Sequence, residues 1–310
     1  MPPFRTVFMG TPAFAVPSLS ALAGSETVTL VVTNPDRPSG RGQALSPPAV
    51  KLEAERLGLP VFQPEKAKNP DSVARIAAEK PDLIVVVAYG HILPKSILDI
   101  PAHGCINVHA SLLPKYRGAA PINWAVVRGD DTTGVTTMKM DVGMDTGPML
   151  LAREIQIEND DTARTLFPKL SMLGAEALME TLHRLHDGSL RETPQDESLA
   201  TYAPMIRKEH GRIDWARSAR EVRNLIRGMT PWPSACAFHE GKMLKILSAS
   251  VREGKGEPGE ILDVGREGIL VACGEGALAL GLVQPEGGKA MASHDYAQGR
   301  RVRKGDRLSR

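Results

Sequence analysis

The 310-residue sequence lacks the marks of several protein classes. Its three cysteines, Cys105, Cys236 and Cys273, are odd in number, far apart and free of CxxC or paired-His spacing. That argues against a disulfide framework and a structural zinc site, and leaves three reduced thiols in or near cores. No run of about eighteen apolar residues occurs, and the chain passes directly into a strand-like Val7-Phe8-Met9 without a secretory leader. A soluble, cytoplasmic protein is expected. A GxGxxG fingerprint and a Walker motif are both missing, for only Gly10-Thr11-Pro12 stands where a nucleotide-binding fold places its glycines, so NAD and ATP are not the expected cofactors. No evident oligomerisation motif is present, which favours a monomer.

Large charge imbalance is also missing, since the formal net charge is +2. The distribution is uneven, however. Residues 190–310 hold 20 Lys plus Arg against 16 Asp plus Glu, which leaves 18 against 20 for residues 1–189 out of the full 38 and 36. The excess gathers in the tail, at Arg300, Arg301, Arg303 and Lys304 with Arg307 and Arg310. A phosphate-contacting surface and a merely solvated basic end both fit that pattern.

What is present reads as two domains. Short apolar runs at 6–9, 27–33, 83–88, 105–108 and 135–140 alternate with helical segments, the rhythm of βαβ units in an α/β fold with a Rossmann-like, open, parallel-rich sheet. Segments 17–23 and 48–57 open with Pro at a first helical turn. A longer helix is expected over 162–185, with Leu166, Leu170, Leu173, Ala177, Leu178 and Leu182 as its apolar stripe, Asp161 as its cap and Gly188 as its stop. Residues 190–205 are polar and irregular and read as a linker between a catalytic domain at 1–189 and a C-terminal domain at 206–310. In the latter, a helix at 218–227 precedes strand-like pieces at 235–240, 244–251, 259–264, 268–272 and 277–283, as in a small β-barrel.

The chemistry is concentrated between Gly104 and Gly147. Asn107 and His109 lie two apart at a strand end, and alternation places them on one face. Asp145 lies in the Gly-rich turn that follows the 135–140 strand. Moving an acyl group between amines passes through a tetrahedral oxyanion, which needs donors aimed at that oxygen and a proton shuttle. Asn107 and His109 supply donors, and a carboxylate beside an imidazole orients the ring and favours its charged form. Ligands of open α/β sheets sit outside the carboxyl ends of strands, where these residues fall. The bland reading is a satisfied Asn-x-His turn and a turn-forming Asp.

The words around the trio are more specific. Asn107-Val108-His109, the run from Ser111-Leu112-Leu113-Pro114 through Lys115-Tyr116-Arg117-Gly118 to Ala119-Ala120-Pro121-Ile122, and Met140-Asp141-Val142-Gly143-Met144-Asp145-Thr146-Gly147 resemble the formyltransferases that use 10-formyltetrahydrofolate. The likeness extends from Gly10-Thr11-Pro12 through Asn34-Pro35-Asp36-Arg37-Pro38 and Val87-Ala88-Tyr89-Gly90 to Pro231-Trp232-Pro233, and it points to the branch that formylates methionyl initiator tRNA.

The resemblance implies 10-formyltetrahydrofolate as co-substrate, initiator methionyl-tRNA as partner, and neither a metal nor a covalent enzyme intermediate. It makes Asn107, His109 and Asp145 the catalytic set. Ser111, Leu112, Leu113 and Pro114, with the backbone of Asp141, Val142 and Gly143, become the folate-binding set. It also implies an OB-like fold for the C-terminal barrel, a type often used on nucleic acids, with the tail residues Arg300, Arg301, Arg303 and Lys304 as candidate tRNA contacts. The 34–47 loop, too polar and too rich in Gly and Pro to be an element, reads as a mobile insertion. Its counterpart in that branch enters the acceptor end of the tRNA, which makes Arg41 and then Arg37 candidate contacts, since a planar guanidinium can bond phosphate or a base edge. Many members carry further lysines after Gly-Arg-Gly, where this sequence has Gln43 and Ala44.

Two rivals remain. A formyltransferase for a small amine, a glycinamide ribonucleotide or an amino sugar, would share the trio; the C-terminal domain, the 36–38 loop and the basic tail count against it. An RNA-binding protein on a decayed scaffold is opposed by the intact Asn107, His109 and Asp145.

Overall fold

The computed structural model describes residues 2–39 and 44–310, and the chain divides into two compact units. The first takes residues 1–121, 133–155 and 167–203; the second takes 122–132, 156–166 and 204–310.

Seven strands form the main sheet of the first unit: β1 (Arg5–Gly10), β2 (Thr27–Val32), β3 (Val61–Phe62), β4 (Leu83–Val87), β5 (Cys105–His109), β6 (Thr132–Lys139) and β7 (Met149–Gln156). Their order is β7-β6-β5-β4-β1-β2-β3. The pairs β1–β2, β1–β4, β2–β3 and β4–β5 are parallel, and the order turns back between β1 and β4, as in Rossmann-like sheets. β4, Leu-Ile-Val-Val-Val, is buried along its whole length, as a strand covered on both faces must be.

The sixth strand departs from the βαβ rhythm: β5 pairs with β6 antiparallel, with His109 opposite Thr136 and Ile106 opposite Lys139. Pairing direction is set by how the connection returns, which apolar runs do not encode. The buried hydroxyls of β6 are used: Thr136 Oγ1 donates to the Ser111 carbonyl at 2.7 Å, and Thr137 Oγ1 meets Thr181 Oγ1 at 2.7 Å.

The long helix spans Ala163–His186. Leu166, Leu170, Ala177, Leu178 and Leu182 of the expected stripe are buried, whereas Leu173 is only half-buried. A Cβ added at Gly174 would lie 3.0 Å from Val108 Cγ1, so the helix packs close against the Val108 face of β5. Successive strand side chains alternate, which turns Asn107 and His109 to the opposite face.

Two segments without periodic signal are tied into this unit. In 190–205, Met149 and Thr193 form an antiparallel bridge, and Tyr202–Ala203 pairs with Arg117–Gly118. The 34–47 loop, expected to contain no element, forms an antiparallel hairpin instead, Arg37–Ser39 against Ala44–Ser46. Three residues a side suffice, and Pro38 is tolerated because both strands are edge strands.

In the second unit, the expected 244–251 strand is broken into Lys242–Ile246 and Ala249–Arg252, and the expected 277–283 strand into Ala277–Leu280 and Leu282–Pro285. The breaks face each other. Gly281 N donates to the Ser248 carbonyl at 2.9 Å, Leu282 N to Ser248 Oγ at 2.9 Å, and a Cβ at Gly281 would come within 2.7 Å of that hydroxyl. There the paired strands bend from a five-stranded into a four-stranded antiparallel sheet. Bonds from Leu308 N to Gly259 O and from Ile261 N to Asp306 O, both 2.8 Å, join one edge of each sheet, and the two sheets enclose a core that includes Leu244, Ile246, Ile261, Val271 and Leu280.

Candidate active site

β5 delivers half-buried Asn107 and buried His109 to one face near its carboxyl end. After β6 ends at Lys139, the chain turns through 141–147 and brings Asp145 back beneath them. This turn is tightly folded. Asp141 Oδ1 accepts from Gly143 N at 2.9 Å and from Thr146 Oγ1 at 2.7 Å, while a Cβ at Gly147 would lie 1.8 Å from the Lys139 carbonyl oxygen. Asp145 itself has φ +55°, a left-handed conformation that costs a non-glycine residue energy and persists only where its surroundings enforce it.

The Asp145 carboxylate serves three neighbours. Oδ1 lies 3.5 Å from Asn107 Nδ2, Oδ2 lies 3.6 Å from His109 Nδ1, and Oδ2 accepts from Gly118 N at 2.8 Å. On the other side of the imidazole, His109 Nε2 is 2.9 Å from the Tyr116 carbonyl. A carbonyl only accepts, so Nε2 carries a proton and Nδ1 is the ring nitrogen on the carboxylate side. The three sequence-derived residues are therefore brought together, although Asp145 returns along the neighbouring strand instead of sitting at an adjacent strand end.

Composition did not reveal what holds them. Three consecutive residues each take one part: Tyr116 through its carbonyl to His109, Gly118 through its amide to Asp145, and Arg117 through its side chain. Arg117 is buried, with Nε at 3.0 Å and Nη2 at 2.8 Å from Gln195 Oε1, and it grips Glu197 with Nη1 and Nη2 at 2.8 and 2.7 Å. Gln195 Nε2 in turn donates to the carbonyls of Asp145 at 2.8 Å and Gly147 at 2.7 Å. Hydrogen bonding to Arg117 holds the Glu197 carboxyl below the usual carboxylate range. The Tyr-Arg-Gly word was legible, but the partners of its arginine lie some eighty residues away in a stretch that reads as linker.

Ser111 and Leu113 are buried and internally bonded, Ser111 Oγ to the Lys115 carbonyl at 2.6 Å and Leu113 N to Thr136 Oγ1 at 3.1 Å. Leu112 and Pro114 are half-buried. Asp141, Val142 and Gly143 are exposed, Val142 at 70%. Cys105 opens β5, but burial and then the Asp99 charge push its thiol up to about 12, so it is protonated at neutral pH. Among the described residues no group of three or more His, Cys, Asp or Glu side chains is placed to hold a metal ion.

Arg41, with Gly40, Gly42 and Gln43, lies outside the described residues. Arg37 is exposed on the hairpin, whose root is fixed by Asp36: Lys51 Nζ reaches its carboxylate at 2.8 Å and Gln63 Nε2 at 2.8 Å. The hydrogen bonds from Gln63 and Lys51 hold the Asp36 carboxyl below its ordinary range. In the second unit, Arg300, Arg301, Arg303 and Lys304 are exposed while Val302 and Leu308 between and beyond them are buried. The basic stretch is thus anchored by buried apolar side chains between its exposed charges.

A family model described as Formyl transferase matches residues 5–182, and one described as Formyl transferase, C-terminal domain, matches residues 205–301. The chain belongs to the formyl transferase family. Among its relatives, the methionyl-tRNA formyltransferase of Citrifermentans bemidjiense is 53% identical over 307 residues, covering 99% of this chain and 96% of that protein. Solved structures share the fold at low identity. An N-formyltransferase from Helicobacter canadensis, in complex with folinic acid and dTDP-3-aminofucose, superposes with TM-score 0.66 at 18% identity, over 89% of this chain and 98% of that one. HypX from Aquifex aeolicus, in complex with tetrahydrofolic acid, gives 0.62 at 19% identity over 95% of this chain and 47% of that one, so this chain spans about half its length.

Proposed function

We propose that this protein transfers the formyl group of 10-formyltetrahydrofolate to the free α-amine of methionyl initiator tRNA, giving N-formylmethionyl-tRNA for translation initiation. The observation that carries this reading is the single carboxylate of Asp145 facing both Asn107 and His109 beside an exposed turn, in a chain whose full-length relatives are methionyl-tRNA formyltransferases.

In this mechanism the methionyl amine attacks the formyl carbon, the carbonyl electrons move onto oxygen, and Asn107 Nδ2–H and His109 stabilise that oxyanion. With Nε2 committed to the Tyr116 carbonyl, Nδ1–H of the protonated ring is the donor available on the reacting side. Collapse breaks the C–N10 bond; the proton lost by the amine passes, with Asp145 assisting, to the departing N10. The backbone of Asp141, Val142 and Gly143 lines the pterin pocket, and Ser111–Leu112–Leu113–Pro114 bounds the folate site. Arg37 and Arg41 contact the acceptor end of the tRNA, and the barrel, with Arg300, Arg301, Arg303 and Lys304, grips it through phosphates. On this reading residues 1–189 carry the chemistry, 190–205 connect while bonding back onto the site, and 206–310 bind tRNA. Among the described residues no helix is long and apolar enough to cross a membrane; we take the protein to act in the cytoplasm as a monomer.

The direct test is formyl transfer from 10-formyltetrahydrofolate to methionine charged on initiator tRNA, with charged elongator tRNA and glycinamide ribonucleotide as parallel acceptors. Selective formylation of the initiator is expected. Transfer only to the small amine would overturn the tRNA assignment, and no transfer to any acceptor would overturn the enzyme assignment.

A further inference from the structure

We propose that Gln195 and Arg117 are positioning residues for the formyl transfer: together they hold the backbone of the 145–147 turn so that the Asp145 carboxylate faces His109. The inference rests on the role given to Asp145 above.

The side-chain amide of Gln195 is used at both ends. Both protons of Nε2 go to turn carbonyls, those of Asp145 at 2.8 Å and Gly147 at 2.7 Å, and Oε1 takes two donors from Arg117. Carbonyls on one side and a guanidinium on the other fix the orientation of the amide, since neither could accept the reverse. Arg117 is itself immobilised, 1% exposed and paired in bidentate fashion with Glu197. The clamp closes on the residue whose left-handed φ of +55° has to be enforced from outside. Its carbonyl is held by Gln195 and its carboxylate by the amide of Gly118, the neighbour of Arg117. Releasing the carbonyls lets the turn relax toward negative φ, which rotates the carboxylate away from a His109 that stays bonded to the Tyr116 carbonyl.

The test compares Gln195→Leu, Gln195→Glu and Arg117→Lys in the full chain by steady-state formyl transfer, thermal melting and the pH profile of kcat. Gln195→Glu still accepts from Arg117 but sets a carboxylate against two carbonyls, so it should be no better than Gln195→Leu. We expect kcat to fall on the order of 10- to 100-fold, as for a misplaced catalytic group, with KM for folate and tRNA within about twofold and the limbs of the pH profile displaced. In an Asp145→Ala background, Gln195→Leu should cost less than about twofold more, because the two act as one unit. The proposal is overturned if melting falls while kcat per folded molecule and the pH profile hold, or if the two losses multiply. Loss of turnover with Asp145→Ala but not with Gln195→Leu defeats the clamp alone; intact turnover with Asp145→Ala defeats the reading of the site, and the clamp with it.

Discussion

The 141–147 turn and the 34–47 hairpin look alike as strings: both are short, rich in Gly or Pro, and placed after sheet strands of the same unit. Their structures are opposite. The turn is bonded within itself, held through its carbonyls by Gln195, which a buried arginine fixes in turn, and forced into an unfavourable backbone conformation at Asp145. The hairpin is two three-residue strands tied at the root, where Asp36 meets Lys51 and Gln63 and Asn34 meets Tyr89 and His91, with its Arg37 exposed. A group that must face developing charge has to be preorganised, whereas a group that meets a large polyanion gains from reach. The difference predicts that damage to the turn appears in kcat, and damage to the hairpin in tRNA affinity.

His109→Ala should break the comparison most severely: kcat falls on the order of 100- to 10,000-fold while tRNA binding, read by filter retention, is unchanged. Gly147→Ala comes next. The added Cβ would meet the Lys139 carbonyl oxygen at 1.8 Å, so the turn must shift, and chemical denaturation should show a loss of about 1–3 kcal/mol together with lower kcat. Arg41→Ala should raise KM for tRNA with little change in kcat; a fall in kcat alone would erase the contrast between the two loops. Asp36→Asn, which weakens the hairpin root, should do the same more weakly.

The smallest expected effect concerns the helix that carries Lys51 to that root. There a hydrogen bond from Arg56, then one from Ser20, holds the Glu53 carboxyl down to about 2, from 4.5 in the unfolded chain. The folded state binds its proton less readily, so this stabilisation is complete above pH 4.5 and is lost as pH falls toward 2. Glu53→Gln should lower the melting temperature slightly at pH 7, and the gap to wild type should narrow by pH 3.

Much of this was legible in the string because local rules govern it. Alternation placed Asn107 and His109 on one face, apolar runs located all five of the strands expected in the first domain, and the Leu166–Leu182 stripe gave the long helix. Non-local facts were not legible. The antiparallel return of β6 depends on the path of the whole 110–131 connection, and the strand breaks at Ser248 and Gly281 depend on each other across two neighbouring strands. The attachment of Gln195 to the Asp145 turn spans fifty residues with no periodic signal at either end. The hairpin was hidden because its composition is that of a loop and its strands are only three residues long.

The most direct test of the account is Asp145→Asn, which keeps the size of the side chain but removes its charge. Single-turnover formyl transfer to methionyl initiator tRNA, measured beside the Kd for that tRNA, should show the rate falling at least about 100-fold with Kd within about twofold. A parallel fall in rate and affinity, or an unchanged rate, would contradict the claim that this carboxylate organises the reaction.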